Sequence, residues 1–299
     1  MNTTELPRFG IEIETVGLSK SRVAAAIQTV VGGIVREDSY RENATVTAAD
    51  GRSWNVVHDG SLSGNENGEI VSPILTYADL ETLQSVVRAV RAAGARADES
   101  CGIHIHIDGG RTSETPEAMR FDVRAVLNLV NMVHKHERLI ERALDVRANR
   151  RGYCKAIDDA FVARLESAKP KTLDELRVAW YGADTTGHRY HASRYHAINL
   201  NSLFYRGTIE FRYFNGTLHA GEVKSYVQLC LSLASRALKT KKTSRARRVV
   251  ETYNERWAFR GFLKILGMLG PEFKTARTFL TKNLEGKSNR TKPTEVAPG

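Results

Sequence analysis

The segment SCGIHIHID, residues 100–108, is the feature that most limits how this chain can fold. His104, His106 and Asp108 alternate in it with three isoleucines. Successive side chains of an extended strand point to opposite faces of a sheet, so the alternation predicts a strand rather than a helix. Such a strand would bury the isoleucines on one face and present two imidazoles and a carboxylate on the other.

Two more segments repeat this alternation. In FGIEIE, Glu12 and Glu14 alternate with isoleucines, and in GTIEFRYF, Glu210 and Arg212 alternate with apolar side chains. Each pattern alone is typical of a solvated sheet face, of histidines paired with polar neighbours, or of a surface ion pair. Three such strands together predict one polar sheet face that is backed by an apolar core.

A convergence of the three polar faces would crowd several carboxylates together. Glu12, Glu14 and Glu210 would lie in one cavity, joined by Glu69 from the segment NGEIVSPIL. Carboxylates at close range cannot all remain ionised without a cation. Oxygen-rich sites suit hard divalent ions such as Mg²⁺ or Mn²⁺ and tolerate an imidazole as an additional ligand. The polar face is therefore predicted to bind metal.

Two Asp-Gly pairs flank the segment RSWNVVH. Asp50-Gly51 separates it from TVTAA and predicts a tight hairpin between two strands. Asp59, Gly60 and Ser61 follow it at the end of the predicted strand. This second pair has two interpretations, a plain turn or a polar contribution to the metal-binding face, and the sequence leaves both open.

The order of the predicted elements indicates the fold class. Helices are expected over residues 18–33 and 77–94 and from Pro116 to about residue 144, between short strands. RYHAINL and GTIEFRYF are expected to be strands that are joined near residues 205–207. We therefore predict an α+β fold with a largely antiparallel sheet that is covered by helices on one face.

The chain is predicted to form one catalytic domain over residues 1–284, with a helical part from about residue 220. The tail, residues 285–299, has almost no apolar content and is predicted to be disordered. Residues 145–195 are polar, basic and interrupted by glycines, which indicates short helices and loops that contact substrate.

The net charge of +10 favours anionic partners. Basic side chains crowd residues 236–260, which are interpreted either as a solvated helical face or as a nucleic-acid patch. No run of 18 apolar residues is present, so no membrane span is expected. The first residues lack a basic region followed by an apolar one, so they are not expected to be a signal peptide. Three widely separated cysteines fit a reducing compartment, and we expect a cytoplasmic protein. Motifs of P-loop, dinucleotide-binding and structural zinc proteins are missing from the sequence.

The motifs FGIEIE, DGS, EIVSPIL, CGIHIHID, RYHAINL and GTIEFRYFNGTL, in this order, resemble the amidoligase family. This family belongs to the carboxylate–amine ligases and is related to glutamine synthetase and glutamate–cysteine ligase. The resemblance runs from residue 9 to about residue 238. It implies a glutamine-synthetase-like catalytic fold, whose antiparallel sheet holds Mg²⁺ or Mn²⁺ and ATP on its polar face. It also implies an amide or peptide bond formed through an acyl phosphate.

The resemblance carries roles to single residues of this chain. The implied metal ligands are Glu12, Glu14, Glu69, His104 and Glu210. The implied contacts to ATP are His104, His106, Asn199 and Arg212, and the implied catalytic residues are Glu210, Arg212 and Asp59. Arg212 would stabilise the negative charge of the phosphate. Because the strand histidine is doubled, the resemblance leaves open which of the two contacts metal.

The sequence thus predicts an ATP-dependent ligase that acts on small-molecule or peptide carboxylates and amines. Two alternatives remain open. A metal-dependent hydrolase could use His104 and His106 with a glutamate to bind Zn²⁺ or Mn²⁺ and activate water. A nucleic-acid-binding protein could use the basic segment 236–260. The identity of the substrates and the oligomeric state cannot be predicted from these motifs.

Overall fold

The structure is a computed structural model that describes residues 5–38, 40, 42–111, 114–157, 159–182, 187–241 and 254–289. Within these residues, eight strands form a single sheet. They are β1 (Phe9–Val16), β2 (Ile34–Asp38), β3 (Asn43–Thr47), β4 (Ser53–Val57), β5 (Asn67–Val71), β6 (Gly102–Asp108), β7 (Ile198–Asn199) and β8 (Thr208–Asn215). Their order is β2-β3-β4-β5-β1-β6-β8-β7, and neighbouring strands are antiparallel throughout.

The helices of the described residues are distributed along the whole chain. They are α1 (Lys20–Val31), α2 (Leu80–Ala92), α3 (Val123–Leu144), α4 (Asp159–Ala168), α5 (Leu173–Tyr181), α6 (Asn201–Arg206), α7 (Ala220–Lys239), α8 (Glu255–Ile265) and α9 (Lys274–Leu280). Helices and an antiparallel sheet therefore coexist, as the α+β prediction states. The single-domain boundary at residue 284 stays a prediction.

The three alternating segments form β1, β6 and β8, which are neighbours in the sheet. Their apolar side chains are buried together: Ile11, Ile13, Ile103, Ile105, Ile107, Ile209, Phe211 and Tyr213. Helix α7 packs against β6 and helix α3 against β8, which covers this face of the sheet. Each such side chain gains roughly 1.5–3 kcal/mol from burial, so the core fixes which face of each strand is polar.

The hairpin predicted at Asp50-Gly51 is confirmed. Strands β3 and β4 pair with Val46 opposite Trp54, and both side chains are buried. Gly51 has a φ of 82°, in the left-handed region that glycine adopts without the strain of a Cβ atom. The Asp50 carboxylate accepts hydrogen bonds from the backbone N–H and the guanidinium of Arg52, which closes the turn.

Two sequence expectations are wrong in detail. The long helix begins at Val123 rather than at Pro116, because the Asp122 carboxylate caps it by accepting a hydrogen bond from the Ala125 N–H at 2.7 Å. The segment RYHAINL is mostly not a strand, since β7 comprises only two residues. The link near residues 205–207 is the end of helix α6, which stops at Gly207 with a φ of 81°.

Some expectations fall on residues outside those the structure describes. These are the end of the predicted disordered tail, residues 290–299, and the middle of the basic segment, residues 242–253. Among the described residues, every helix is too short or too polar to cross a lipid bilayer.

Candidate functional site

A cavity of about 620 Å³ lies on the polar face of the sheet, above β1, β6 and β8. All of the sequence-predicted site residues line it: Glu12, Glu14, Asp59, Glu69, His104, His106, Asn199, Glu210 and Arg212. The residues come from six separate segments of the chain. The register of the sheet is what brings them together.

Antiparallel pairing places the charged side chains in rows across the sheet. Glu12 on β1 lies opposite His104 on β6, and Glu14 lies opposite Glu69 on β5. Glu210 on β8 lies opposite His106. Because directly opposed side chains share one face, the charged side chains of four neighbouring strands meet over the centre of the sheet.

The first cluster of possible metal ligands consists of Glu12, His104 and Glu210. One ligand atom from each lies within 4.8 Å of the others. His104 Nδ1 is 3.3 Å from a Glu12 oxygen and 3.9 Å from a Glu210 oxygen. His104 and Glu210 are buried, so the cluster is shielded from bulk water.

The second cluster consists of Glu14, Glu69 and His104, again within 4.8 Å of one another. His104 Nε2 is 3.9 Å from a Glu14 oxygen, so the imidazole stands between the two clusters. Four carboxylates and one imidazole form the donor set of a hard divalent cation such as Mg²⁺ or Mn²⁺. The residues present therefore fit the predicted metal.

The close approach of these carboxylates changes the pKa of Glu69. Burial raises the pKa of its carboxyl to about 9, and the charges of Glu12 and Glu14 add to the effect. Burial also opposes the ionisation of Glu12, but His106 and His104 outweigh it and hold the pKa of Glu12 well below its usual value. The imidazoles thus stabilise the Glu12 carboxylate, whereas the neighbours that act most strongly on Glu69 are other carboxylates.

His106 differs from His104 in its surroundings. Its Nε2 is 3.3 Å from a Glu12 oxygen, and its Nδ1 is 3.1 Å from the Thr208 hydroxyl. Burial lowers the pKa of His106, but Glu12 and Glu210 more than offset this and leave it raised. Within the described residues His106 belongs to neither ligand cluster, so its surroundings are those of a second imidazole that supports Glu12.

Glu210 is held by neighbours on two sides. The Asn199 amide donates a hydrogen bond to one Glu210 oxygen at 2.6 Å, and the Arg212 guanidinium donates one to the other oxygen. Arg212 Nε also donates to the backbone carbonyl of Tyr153 at 3.2 Å. Burial raises the pKa of Glu210, but His106 and Arg212 reverse this and lower it. The carboxylate is therefore ionised and fixed in direction.

Asp59 lies in a turn at the edge of the cavity. One of its oxygens accepts hydrogen bonds from the backbone N–H and the hydroxyl of Ser61, each at 2.8 Å. This is the arrangement of an Asx turn, so the turn interpretation holds. The carboxylate nevertheless faces the cavity, and its catalytic role stays a prediction.

Comparison with known proteins identifies the family of this chain. Residues 5–234 match the family model described as "Putative amidoligase enzyme". The chain belongs to this amidoligase family. The predicted resemblance to the amidoligase family is thereby confirmed.

One similar solved structure is a bifunctional glutathione synthetase from Pasteurella multocida. The sequence identity is 11% and the TM-score is 0.42. The match covers 94% of this amidoligase but 47% of the synthetase, so the chain spans about half the length of that protein. No curated protein sequence matches the chain.

The amidoligase site contains four arginines that were given no role from the sequence, Arg150, Arg189, Arg194 and Arg206. Arg206, at the end of α6, lies 3.8 Å from a Glu12 oxygen. Arg194 lies over the rings of Tyr190 and Tyr195, with its Cζ 5.4 Å and 4.8 Å from their centroids. Arg150 is 5% exposed and lines the cavity from a short 3₁₀ turn. Arg150, Arg189 and Arg194 lie in the polar stretch 145–195, and Arg206 lies in the predicted link between two strands, so no alternation of polar and apolar side chains marked them as site residues.

The basic C-terminal segment is only partly described. Lys239 pairs with Glu5 at 2.8 Å, and Arg256 donates hydrogen bonds to the Leu284 carbonyl. These contacts are structural, and the predicted nucleic-acid patch stays a prediction. Residues 242–253, which carry four of its nine lysine and arginine side chains, lie outside the described residues.

Proposed function

We propose that this amidoligase joins a carboxylic acid to an amine with consumption of ATP, through an acyl-phosphate intermediate. The observation that carries the proposal is the pair of ligand clusters that share His104 on the wall of one cavity. Phosphoryl transfer needs positioning and charge neutralisation more than it needs covalent help from the protein. Clustered carboxylates that gather divalent cations beside an arginine supply both.

In the first step, a carboxylate oxygen of the acid attacks the γ-phosphorus of ATP. The bond from that phosphorus to the oxygen shared with the β-phosphate breaks, and ADP leaves with the electron pair. In the second step, the amine attacks the acyl carbon, inorganic phosphate leaves and the amine loses a proton. The acyl phosphate is needed because a free carboxylate is a poor electrophile.

The chain's own residues have distinct parts in this scheme. Glu12, Glu14, Glu69, His104 and Glu210 would hold Mg²⁺ or Mn²⁺. The bound ion would neutralise phosphate charge during transfer. Arg212, oriented by Glu210 and by the Tyr153 carbonyl, would point its remaining N–H groups at the transferring phosphoryl group. His106 and Asn199 keep Glu12 and Glu210 charged and in place.

We also propose that the catalytic fold is glutamine-synthetase-like. The support is a fully antiparallel sheet among the described strands, with a polar concave site on one face and helices on the other. His104, His106, Asn199 and Arg212 on the polar face would hold ATP.

The donor set argues against the hydrolase alternative. Zn²⁺ hydrolases bind their ion mainly through imidazoles, with two or three histidines in most sites. Here a single imidazole, His104, serves both clusters, and His106 serves neither. Oxygen donors predominate, which favours the hard cations that accompany ATP.

A trapping assay tests the proposal. The protein is incubated with ATP, Mg²⁺, hydroxylamine and a pool of small carboxylic acids, and ADP and hydroxamate are measured. We expect both products together, and we expect Glu210→Gln and Arg212→Ala to lose both. Ester, amide or phosphate hydrolysis that needs Zn²⁺ or Mn²⁺ but no ATP would overturn the proposal in favour of a hydrolase.

A further inference from the structure

The charged side chains that line the cavity are separated according to their place in the chain. The carboxylates come from β1, β5 and β8 and from positions 59 and 99. The described lining residues between positions 149 and 206 include four arginines, four tyrosines and no carboxylate. One side of the cavity is therefore suited to cations and the other side to anions. We call the outer part of this second side the basic wall, which consists of Tyr153, Arg189, Tyr190, Arg194, Tyr205 and Arg206.

The tyrosines of the basic wall are largely exposed. Tyr153, Tyr190 and Tyr205 are 50%, 65% and 56% exposed, and Tyr40 is the one other exposed tyrosine among the described residues. Tyrosine and arginine are the residue types that dominate binding energy at protein interfaces, together with tryptophan. A tyrosine ring offers a large amphipathic contact area and loses little conformational entropy when it is covered. The basic wall therefore has the composition of a contact surface.

The arginines of the basic wall are available to an anion. Arg189 is exposed, and among the described residues no carboxylate pairs with Arg189 or Arg194. Both instead lie over the ring of Tyr190, with Cζ 5.3 Å and 5.4 Å from its centroid. A guanidinium on an aromatic ring keeps its charge and its N–H groups for a carboxylate. Arg206 is 43% exposed and lies 3.8 Å from a Glu12 oxygen, where the basic wall meets the ligand clusters.

Backbone hydrogen bonds hold the basic wall in place before a partner binds. The Lys155 N–H donates to the Tyr195 carbonyl at 2.8 Å, and the Ala197 N–H donates to the Lys155 carbonyl at 2.8 Å. The Arg212 N–H of β8 donates in turn to the Ala197 carbonyl at 2.9 Å. The rings of Tyr153 and Tyr195 meet edge to face, with centroids 5.7 Å apart. A preformed surface of this kind loses less entropy on binding than a mobile loop does.

The basic wall fits a peptide better than a nucleic acid. Proteins that bind single-stranded nucleic acid stack successive bases on free aromatic faces. Here guanidinium groups lie over the rings of Tyr190 and Tyr195, which leaves less of these rings to a base. An acidic peptide presents separate carboxylates, which match separate guanidinium groups, and its apolar side chains can cover tyrosine rings. Peptides also carry both groups that an amide ligase joins.

We propose that the basic wall binds an acidic segment of another polypeptide, and that the acid substrate of this amidoligase is a carboxylate carried by that segment. The second part rests on the proposed ligase function. One carboxylate of the segment would reach the ligand clusters on the sheet. Its acidic neighbours would contact Arg189 and Arg206, and its apolar neighbours would cover Tyr153, Tyr190 and Tyr205.

Peptide binding in the absence of ATP tests the basic wall separately from the reaction. The probes are fluorescein-labelled octapeptides in which glutamate alternates with leucine or with glycine, and their counterparts with glutamine in place of glutamate. Each is titrated with the Mg²⁺-supplied protein by fluorescence anisotropy. We expect at least one glutamate peptide to bind about tenfold or more tightly than its glutamine counterpart. Failure of the trapping assay would not change this measurement.

A paired substitution removes one guanidinium and one ring from the basic wall. Arg189→Gln combined with Tyr190→Ala should weaken binding of the glutamate peptide about tenfold or more. Both positions are exposed, so the fold should be retained. The matched control is Arg88→Gln combined with Tyr40→Ala, two exposed residues of the same types outside the cavity lining, and it should bind as the wild type does. Thermal melting followed by circular dichroism verifies that both variants are folded.

The second part of the inference is tested by supplying the bound peptide as the acid in the trapping assay. We expect a hydroxamate on the peptide, detected by mass spectrometry. Hydroxamate from small acids but from none of the bound peptides would overturn the peptide substrate and leave the ligase proposal standing. No hydroxamate from any acid would instead count against the ligase proposal, while peptide binding would still support the basic wall.

Three binding results would overturn the basic wall as a peptide site. The first is that glutamate peptides bind no more tightly than glutamine peptides, or that none binds. The second is that the folded Arg189→Gln, Tyr190→Ala variant binds the peptide as tightly as the wild type. The third is that a labelled oligothymidylate binds more tightly than every peptide and is lost in that variant, which would assign the basic wall to nucleic acid.

Discussion

Glu14 and Glu69 face each other across the β1–β5 pair, and a carboxylate oxygen of each lies within 4.8 Å of the other and of a His104 ring nitrogen. Without a cation between them, this arrangement is electrostatically unfavourable. Burial, with the charges of Glu12 and Glu14, accordingly raises the pKa of Glu69 to about 9. A proton on Glu69 therefore relieves the repulsion in the metal-free site, and a bound metal ion would take the place of that proton.

Metal binding should stabilise the folded protein. Mg²⁺ at about a hundredfold over its Kd is expected to raise the Tm by roughly 5 °C, because it binds the folded state alone. Glu12→Gln, Glu14→Gln and Glu210→Gln should each shrink this shift, as measured by differential scanning calorimetry. Glu81→Gln, an exposed carboxylate on α2, is the control and should keep the shift. An undiminished shift in all three site variants would refute the metal assignment.

The two strand histidines should differ in the same assay. His104 belongs to both ligand clusters and His106 to neither. His104→Gln is therefore expected to lose most of the Mg²⁺-induced rise in Tm, whereas His106→Gln should keep most of it. Equal losses in the two variants would show that both imidazoles contact the ion.

Replacing Glu69 should change how stability depends on pH. The folded state holds a proton on Glu69 up to about pH 9, while the unfolded chain releases it near the ordinary value of 4.5. The contribution of this group to the free energy of unfolding therefore falls as pH rises from about 4.5 to about 9. Glutamine cannot ionise, so metal-free Glu69→Gln should be more stable than the wild type by a margin that grows across this range.

Denaturant titration of both metal-free proteins at several pH values measures that margin. A margin that stays constant, or that shrinks towards pH 9, would contradict the pKa assigned to Glu69. The same variant should show a smaller stabilisation by Mg²⁺, since one ligand of the second cluster is lost.

Arg212 should be sensitive even to conservative replacement. Its planar fork contacts both Glu210 and the Tyr153 carbonyl, and an ammonium group cannot reproduce these directions. Arg212→Lys is expected to lower turnover about 10²–10³-fold while MgATP binding changes less, because the contact strengthens in the transition state. Single-turnover kinetics and ATP titration separate these effects. Near-normal turnover would make Arg212 a structural ion-pair partner only.

Much of the polar face could be predicted from the sequence because a strand has a period of two. The alternation around Glu12, His104 and Glu210 fixes which side chains share a face. The apolar side chains between them must face the core, which excludes the reverse orientation of each strand. What the alternation does not contain is the register between strands. The opposition of Glu14 with Glu69 is seen only once β1 and β5 are paired.

Arg150 and Arg206 could not be predicted in the same way. Arg206 lies at the end of α6, in the segment that the sequence predicted to be the link between two strands. Arg150 depends on Gly102, which is 48 positions earlier in the chain and matters only because it lacks a Cβ atom. Contacts between segments so far apart in the chain leave no pattern in the local sequence from which they could be predicted.

The transfer of isotope from acid to phosphate tests the central claim most directly. An acid that yields hydroxamate in the trapping assay is labelled with ¹⁸O in its carboxylate and supplied with ATP, Mg²⁺ and hydroxylamine. If an acyl phosphate forms, its breakdown leaves one carboxylate oxygen on phosphorus, so each inorganic phosphate should carry one ¹⁸O atom, as measured by mass spectrometry or ³¹P NMR. Hydroxamate formed together with unlabelled phosphate would contradict the acyl-phosphate mechanism.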